Sequence, residues 1–249
     1  MGVEVTVEGT IGIVRLNWPE RRNALKPEDA HEVAARISEL EKDCHAIILA
    51  GTSKAFCAGA DLKEIRRLID EGGREAQQGA VYGAFQRLAR TIRESTTVIL
   101  AAVDGPAVGL GADLAFVCDM AFVGEAGWID QGWARAFGVP GLGGAWLTSR
   151  RGGSHAAWKF FLSQKRWDGP ALEELGLASA SVGLAETDAM TAAQFLTTMP
   201  RYGVRAYKSL LRSALEEPYL SHLERCLEYQ SVMAIELAPR NLGFDGVSD

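Results

Sequence analysis

The chain has 249 residues, enough for one medium domain, or one domain plus an extension, with a substantial core. At 47% hydrophobic and 23% charged residues it reads as a soluble globular protein, and without an apolar run of about 18 residues no transmembrane helix is expected. The 26 basic and 32 acidic residues leave a net charge of −6, which predicts no nucleic-acid or membrane partner and would mildly repel a polyanionic cofactor.

The start, Met1-Gly2-Val3-Glu4-Val5, has neither a basic n-region nor an apolar h-region, so the sequence predicts a cytoplasmic protein. Cys44, Cys57, Cys118 and Cys226 form no C-x-x-C pair and read as reduced thiols. His31, His45, His155 and His222 are scattered, so no metal site is expected.

Apolar positions alternate over residues 3–16 (Val3, Val5, Val7, then Ile11, Ile13, Leu16), which predicts a hairpin turning at Glu8-Gly9-Thr10. Pro27 opens a helix to about Glu41 with Ala30, Val33, Ala34, Ile37 and Leu40 on one face. Ala46–Ala50 is an apolar strand that runs into the turn Lys54–Leu62. Residues 63–94 are charged and helical, broken at Gly72-Gly73, and read as a mobile lid. Val98–Val103 is a second buried strand, followed by a turn rich in Gly and Pro from Asp104 to Gly109 and a helix over Gly111–Cys118.

A short strand at Ala121–Val123 precedes an aromatic and glycine-rich stretch, Trp128–Gly144. Helices are expected at 145–151, 154–163 and 170–175, and a last strand at 180–182. From Glu186 the chain turns helical, at 187–198, 202–216 and 219–238. Residues 1–185 therefore read as the core, and 186–249 as a separate helical module for subunit packing.

Strand, glycine turn and helix start recur twice, at 46–62 and 98–118. Such turns let backbone approach a partner closely and aim free N–H groups at it. The glycines of the second turn, Gly109 and Gly111, are followed by no Lys-Ser/Thr, so this is no P-loop, and a lone G-x-G is weak as a dinucleotide fingerprint. A packed connection without chemistry is the competing reading for either turn alone.

Pro19-Glu20-Arg21-Arg22-Asn23-Ala24-Leu25, Lys54-Ala55-Phe56-Cys57-Ala58-Gly59-Ala60-Asp61-Leu62 and Val103–Met120 stand in an order and spacing that resemble the crotonase superfamily, the enoyl-CoA hydratases and isomerases. The resemblance covers about residues 3–247. It implies an α/β fold, a spiral of repeated ββα units forming two roughly perpendicular sheets, with a C-terminal helical module that builds a homotrimer or hexamer. It also implies an acyl-CoA substrate, with coenzyme A part of that substrate and no separate cofactor.

By resemblance, two backbone N–H groups, those of Ala60 and Leu110, polarise the thioester carbonyl. Most relatives carry Gly where Leu110 stands. The nucleotide and pantetheine would run along Ala24 and Leu25 and along Ala58, Gly59, Asp61 and Leu62, with Gly109 beside the donor. Any attraction for the phosphates rests on Arg21, Arg22 and Lys26, which on charge alone read equally as a solvated loop.

Hydratases of the family use two glutamates. Asp113 stands at the first position, a carboxylate with roughly one C–C bond, about 1.5 Å, less reach; its competing reading is a first-turn acid that complements the helix dipole. At the second position, counting from Trp128 gives Gly132 and counting back from Pro140 gives Trp133, because the loop is one residue longer than the usual pattern. Asp130 is the nearest acid, either catalytic or a turn residue. Asn241–Val247 resembles the start of the family's final helix, and the chain ends soon afterwards, which would leave a CoA site more open.

The expected activity is enolate chemistry of the hydratase/isomerase type on an acyl-CoA with an apolar acyl group. A C–C hydrolase or decarboxylase of a β-dicarbonyl compound and a non-catalytic acyl-CoA binder are the alternatives.

Overall fold

A computed structural model describes residues 2–136, 138–163, 165–214 and 216–234. Strands β1 (Gly2–Glu8) and β2 (Ile11–Asn17) form the expected antiparallel hairpin, with Val5 opposite Val14. The turn closes at Gly9, whose φ of +61° is left-handed. Then β2, β3 (Ala46–Ala50), β4 (Val98–Val103), β6 (Met120–Val123) and β8 (Ser179–Ala180) run parallel, giving a six-stranded sheet in the order β1-β2-β3-β4-β6-β8.

Strands β3, β4 and β6 are apolar throughout because both faces are covered, as parallel sheets require. Alternate residues separate into two cores. Val14, Leu16, Ile47, Leu49, Ile99 and Ala101 pack with α1 (Pro27–Leu40), α3 (Ala84–Glu94) and α4 (Leu110–Val117). Ile13, Ile48, Ala50, Leu100, Ala102 and Phe122 face Ala185, Ala189 and Ala193 of α7 (Ala185–Thr197).

The helical run that the sequence places in a separate module therefore begins inside the core. Its buried stripe is alanine, small enough to lie close on the sheet, while the larger Phe195 faces outward. Asp104 fixes the start of α7 by accepting the N–H groups of Ala185 (2.6 Å) and Glu186 (3.1 Å). Arg15 of β2 pairs with Glu186 at 2.6 Å. Farther along, α8 (Arg201–Ser213) sends the buried Lys208 to Asp119 (2.7 Å) and to the Thr97 carbonyl (2.8 Å). α9 (Tyr219–Val232) packs on α8. Asn241–Val247 lies outside the described residues, and no helix among those described is long and apolar enough to cross a membrane.

A second, two-stranded sheet pairs β5 (Pro106–Val108) with β7 (Trp128–Asp130) in parallel. Both strands fall where the sequence predicts turn and loop. Single bridges widen it on either side, Cys57 to Ala107 and Ile129 to Trp167, and a further bridge joins Leu25 to Ala60. The three motif segments thus meet along one strip of backbone.

The expected break in the charged helical stretch falls at Gly73 (φ 57°, ψ −142°) in α2 (Leu62–Ala76), followed by a π-helical turn, Gln77–Gly83. α5 (Gly144–Ser163) leaves helical geometry at Gly153, between the two helices predicted there, and α6 (Gly169–Glu174) follows it.

Candidate active site

The strip is knotted at Asn23. Arg22 and Asn23 both have positive φ, 52° and 57°, a conformation Asn tolerates better than most residues. The buried Asn23 amide donates to the carbonyls of Ala55 (2.8 Å) and Phe56 (3.2 Å), and its Oδ1 accepts the Trp18 N–H at 2.7 Å. Ala58 N–H then donates to the Arg22 carbonyl (3.0 Å), Leu25 N–H to Gly59 (2.8 Å) and Asp61 N–H to Leu25 (2.8 Å). Asp61 turns its carboxylate onto the N–H groups of Lys63 and Glu64 and caps α2.

In that parallel register the N–H of Ala60 points away from Leu25, and no protein acceptor is found for it among the described residues. The N–H of Leu110, which opens α4, is free in the same sense. Each follows a glycine of positive φ, Gly59 (+109°) and Gly109 (+55°). The two segments touch: a methyl group on Gly59 would lie 2.9 Å from the Val108 carbonyl oxygen and 3.8 Å from the Leu110 nitrogen. Two backbone donors without a protein acceptor therefore lie on segments in contact, with the positive end of a helix behind one of them.

Asp113 sits one turn into α4, its N–H bonded to the Gly109 carbonyl at 3.0 Å. Its carboxylate is buried and accepts the Leu142 N–H at 3.1 Å. A methyl group on Gly144 would stand 2.1 Å from Oδ1, so glycine is what admits the carboxylate there. Among the described residues three aspartates are buried: Asp29 pairs with Arg21, Asp130 with Arg135, and Asp113 with no cation. Burial pushes the Asp113 carboxyl up to about 7, offset in part by the N–H groups of Leu142, Trp133 and Gly144.

Asp130 is held otherwise. One oxygen accepts the Gly132 N–H at 3.0 Å and the other meets the Arg135 guanidinium, so both sides are engaged. Gly132 (φ +57°) lies against β5, where a methyl group would come 2.9 Å from Val108 Cγ1. Of the two registers left open by the longer loop, this makes Gly132 a turn and puts the side chain of Trp133 beside Asp113. The indole is bounded by Gly109, Gly138 and Gly141, on which methyl groups would lie 3.9, 3.1 and 3.8 Å from its Cε2, Cε3 and Cη2. Its N–H lies close enough to affect Asp113 but outside hydrogen-bond geometry, and Nε1 is buried without an acceptor.

Of the remaining expected contacts, Ala24 is half-buried beside the strip, while Arg22 and Leu62 are exposed at its rim. Arg21 is committed to Asp29 (2.6 Å) and stacks on Trp18, and Lys26 stands 3.8 Å from Glu28. Two residues escaped the sequence reading as site components. Asn23 stood within a quoted motif, and only its left-handed backbone reveals the knot. Tyr82, one of two aromatics in the charged stretch 63–94, places its ring so that a methyl group on Gly141 would lie 2.6 Å from Cε1.

A carboxyl whose folded pKa is raised binds its proton more tightly folded than unfolded. Its contribution to stability is fully present below the unfolded value, near 4, and is lost as pH rises towards about 7. Asp113→Asn removes this titration, so the variant should gain on the parent by up to about 4 kcal/mol between pH 4 and pH 8. Urea unfolding across that range measures it, and a pH-independent difference would contradict the burial of an ionisable Asp113.

The enoyl-CoA hydratase/isomerase family model matches residues 6–236. A Mycobacterium tuberculosis protein named "Probable enoyl-CoA hydratase" is 32% identical over 210 residues, covering 83% of this chain and 79% of its own. The 1,2-epoxyphenylacetyl-CoA isomerase of Escherichia coli is 28% identical over 256 residues, covering 96% and 97%. Crystal structures of enoyl-CoA hydratases from Polaromonas (TM-score 0.88, 22% identity, 95% and 93% covered) and Bacillus anthracis (TM-score 0.85, 22% identity, 95% and 92% covered) share the fold. With motifs, fold and family match in agreement, the chain belongs to the enoyl-CoA hydratase/isomerase family of the crotonase superfamily, and is an enzyme of hydratase/isomerase type.

Proposed function

We propose that the enzyme acts on an acyl-CoA thioester, holding its carbonyl oxygen on the N–H groups of Ala60 and Leu110 and moving a proton with Asp113 alone. The observation that carries this reading is the pairing of two free backbone donors with one buried carboxylate that has no cation. Each donor directed at a developing enolate oxygen is worth roughly 3–4 kcal/mol of transition-state stabilisation. A carboxyl titrating near neutrality suits both taking a proton and returning it.

One such group suffices for a double-bond shift, in which the proton leaves one carbon of the substrate and returns to another. Hydration asks for more, because one group must deprotonate water while a proton is delivered to the α-carbon. Trp133 is an N–H donor without basicity, and Asp130 is engaged by Arg135. Isomerisation is therefore favoured over hydration. Trp133 and Tyr82 also favour an apolar or aromatic acyl body, in keeping with the aromatic substrate in the name of the Escherichia coli relative.

The exposed Leu220 and Leu227 of α9, Leu211 of α8 and Phe195 of α7 support a homo-oligomer, trimer or hexamer. Phe195, Tyr207 and Leu211 also line a cavity of about 690 Å³ opposite Trp146 and Leu147. Light scattering at micromolar concentration should give a multiple of three chains; a monomer removes this part of the reading.

The activity is tested with a 3-enoyl-CoA and with crotonyl-CoA. Isomerisation should proceed and fall by 10²–10⁴-fold in Asp113→Asn, and crotonyl-CoA hydration should run about a thousandfold below a two-glutamate hydratase. Hydration at an ordinary rate would refute the single-acid reading. Binding without turnover points to a non-catalytic binder, and no binding to a substrate that is not a CoA ester.

A further inference from the structure

We propose that the cavity between α5, α7 and α8 is a second binding site, taking a small amphipathic carboxylate: an apolar chain that carries one negative charge. The inference goes beyond the acyl-CoA reading and does not rest on it.

The cavity, about 690 Å³, lies at the far end of α4 from the two backbone donors. Leu110 and Asp113 stand in the first turn of that helix, whereas Phe116 and Cys118, at its close, line the cavity. The eight residues of α4 span about 12 Å. α5 runs the same way, from Gly144 against Asp113 to Arg150 and Arg151 in the cavity wall. Leu100 of β4, Phe116, Leu147 and Val204 are buried and form the floor, while Trp146, Phe195, Tyr207 and Leu211 are exposed at the mouth. A concavity that reaches the sheet itself, and falls in the range of roughly 300–1,000 Å³ typical of ligand pockets, suits a small molecule.

Its charge is one-sided. Arg93, Arg150, Arg151, Lys208 and Arg212 line it, against the acids Asp119 and Asp188. Asp119 pairs with the buried Lys208 at 2.7 Å, and Arg151 beside it donates to the carbonyls of Phe116 (3.0 Å), Cys118 and Asp119 (3.3 Å). One carboxylate thus serves two sunken cations. At the mouth, Arg93 and Arg150 both lie over the Trp146 ring, 5.1 and 4.7 Å from its centroid. Arg212 donates to the Arg93 carbonyl at 2.9 Å and brings a third guanidinium to the same place. The Arg93–Glu216 pair, at 3.2 Å and open to solvent, offsets little of this charge. Guanidinium forks match a carboxylate, and the apolar floor below them accommodates its chain. A doubly charged head such as a phosphate monoester would be repelled more strongly by Asp119 and Asp188 in the same wall.

Calorimetric titration of the full chain with octanoate and with 1-octanol, the same chain without the charge, tests the proposal. Octanoate should bind the parent about tenfold or more tightly than 1-octanol. Arg150→Gln should weaken octanoate by about threefold or more and leave 1-octanol within about twofold of the parent. Ala192→Trp, which fills the cavity from α7, should weaken both by about tenfold or more. Equal binding of the two ligands by the parent overturns the proposal, and so does octanoate binding that Ala192→Trp leaves untouched, because the ligand then sits elsewhere. A parent that binds neither also overturns it; a smaller particle for Ala192→Trp in light scattering would then assign the cavity to a second copy of the chain. Should Ala192→Trp not fold, Arg150→Gln decides the matter, and an equal change for both ligands would count against the carboxylate site.

Discussion

The structure depends on two stretches of backbone lying closer together than any side chain would allow. A methyl group on Gly111 would stand 2.1 Å from the Cys57 carbonyl oxygen, and one on Gly59 would stand 2.9 Å from that of Val108. That approach joins the turn after β3 to the turn after β4, draws in β5 and β7, and sets the Ala60 and Leu110 donors beside each other. Asn23 then ties the first loop to the same strip. The Ala60 and Leu110 donors are themselves backbone groups, so the leucine side chain at position 110 takes no donor away.

A fixed backbone of this kind allows one uncompensated charge to be held in the interior. Asp113 is buried without a cation, at an energetic cost that the two ion-paired buried aspartates avoid. That cost keeps its pKa near neutrality, where a proton-transfer group is most useful. Trp133 takes up the space beside it, bounded by Gly109, Gly138 and Gly141. Stability and the proposed chemistry are thus set against each other at a single carboxyl group.

Much of this was legible in the sequence, for identifiable reasons. The hairpin, the buried strands, α1 and the breaks at Gly72-Gly73 and Gly153 announce themselves through periodicity or glycine. β5 and β7 do not, since three residues cannot show a period and both lie inside Gly-rich stretches. The docking of α7 was hidden because its buried stripe is alanine, whereas reading by large apolar side chains follows Phe195 to the surface. The resemblance to the crotonase superfamily singled out Ala60, Leu110 and Asp113, while the choice between Gly132 and Trp133 needed three dimensions. So did the Asp130–Arg135 pair and the orphaned indole N–H, since both are matters of geometry.

The central claim is that backbone donors at Ala60 and Leu110 polarise a thioester carbonyl. The infrared stretch of an acyl-CoA labelled with carbon-13 at the thioester carbon, bound to the parent and to Asp113→Asn, tests it most directly. The account predicts a shift of the carbonyl band to lower frequency in both proteins, because the donors are backbone groups that the substitution leaves in place. A bound carbonyl at its solution frequency would contradict it.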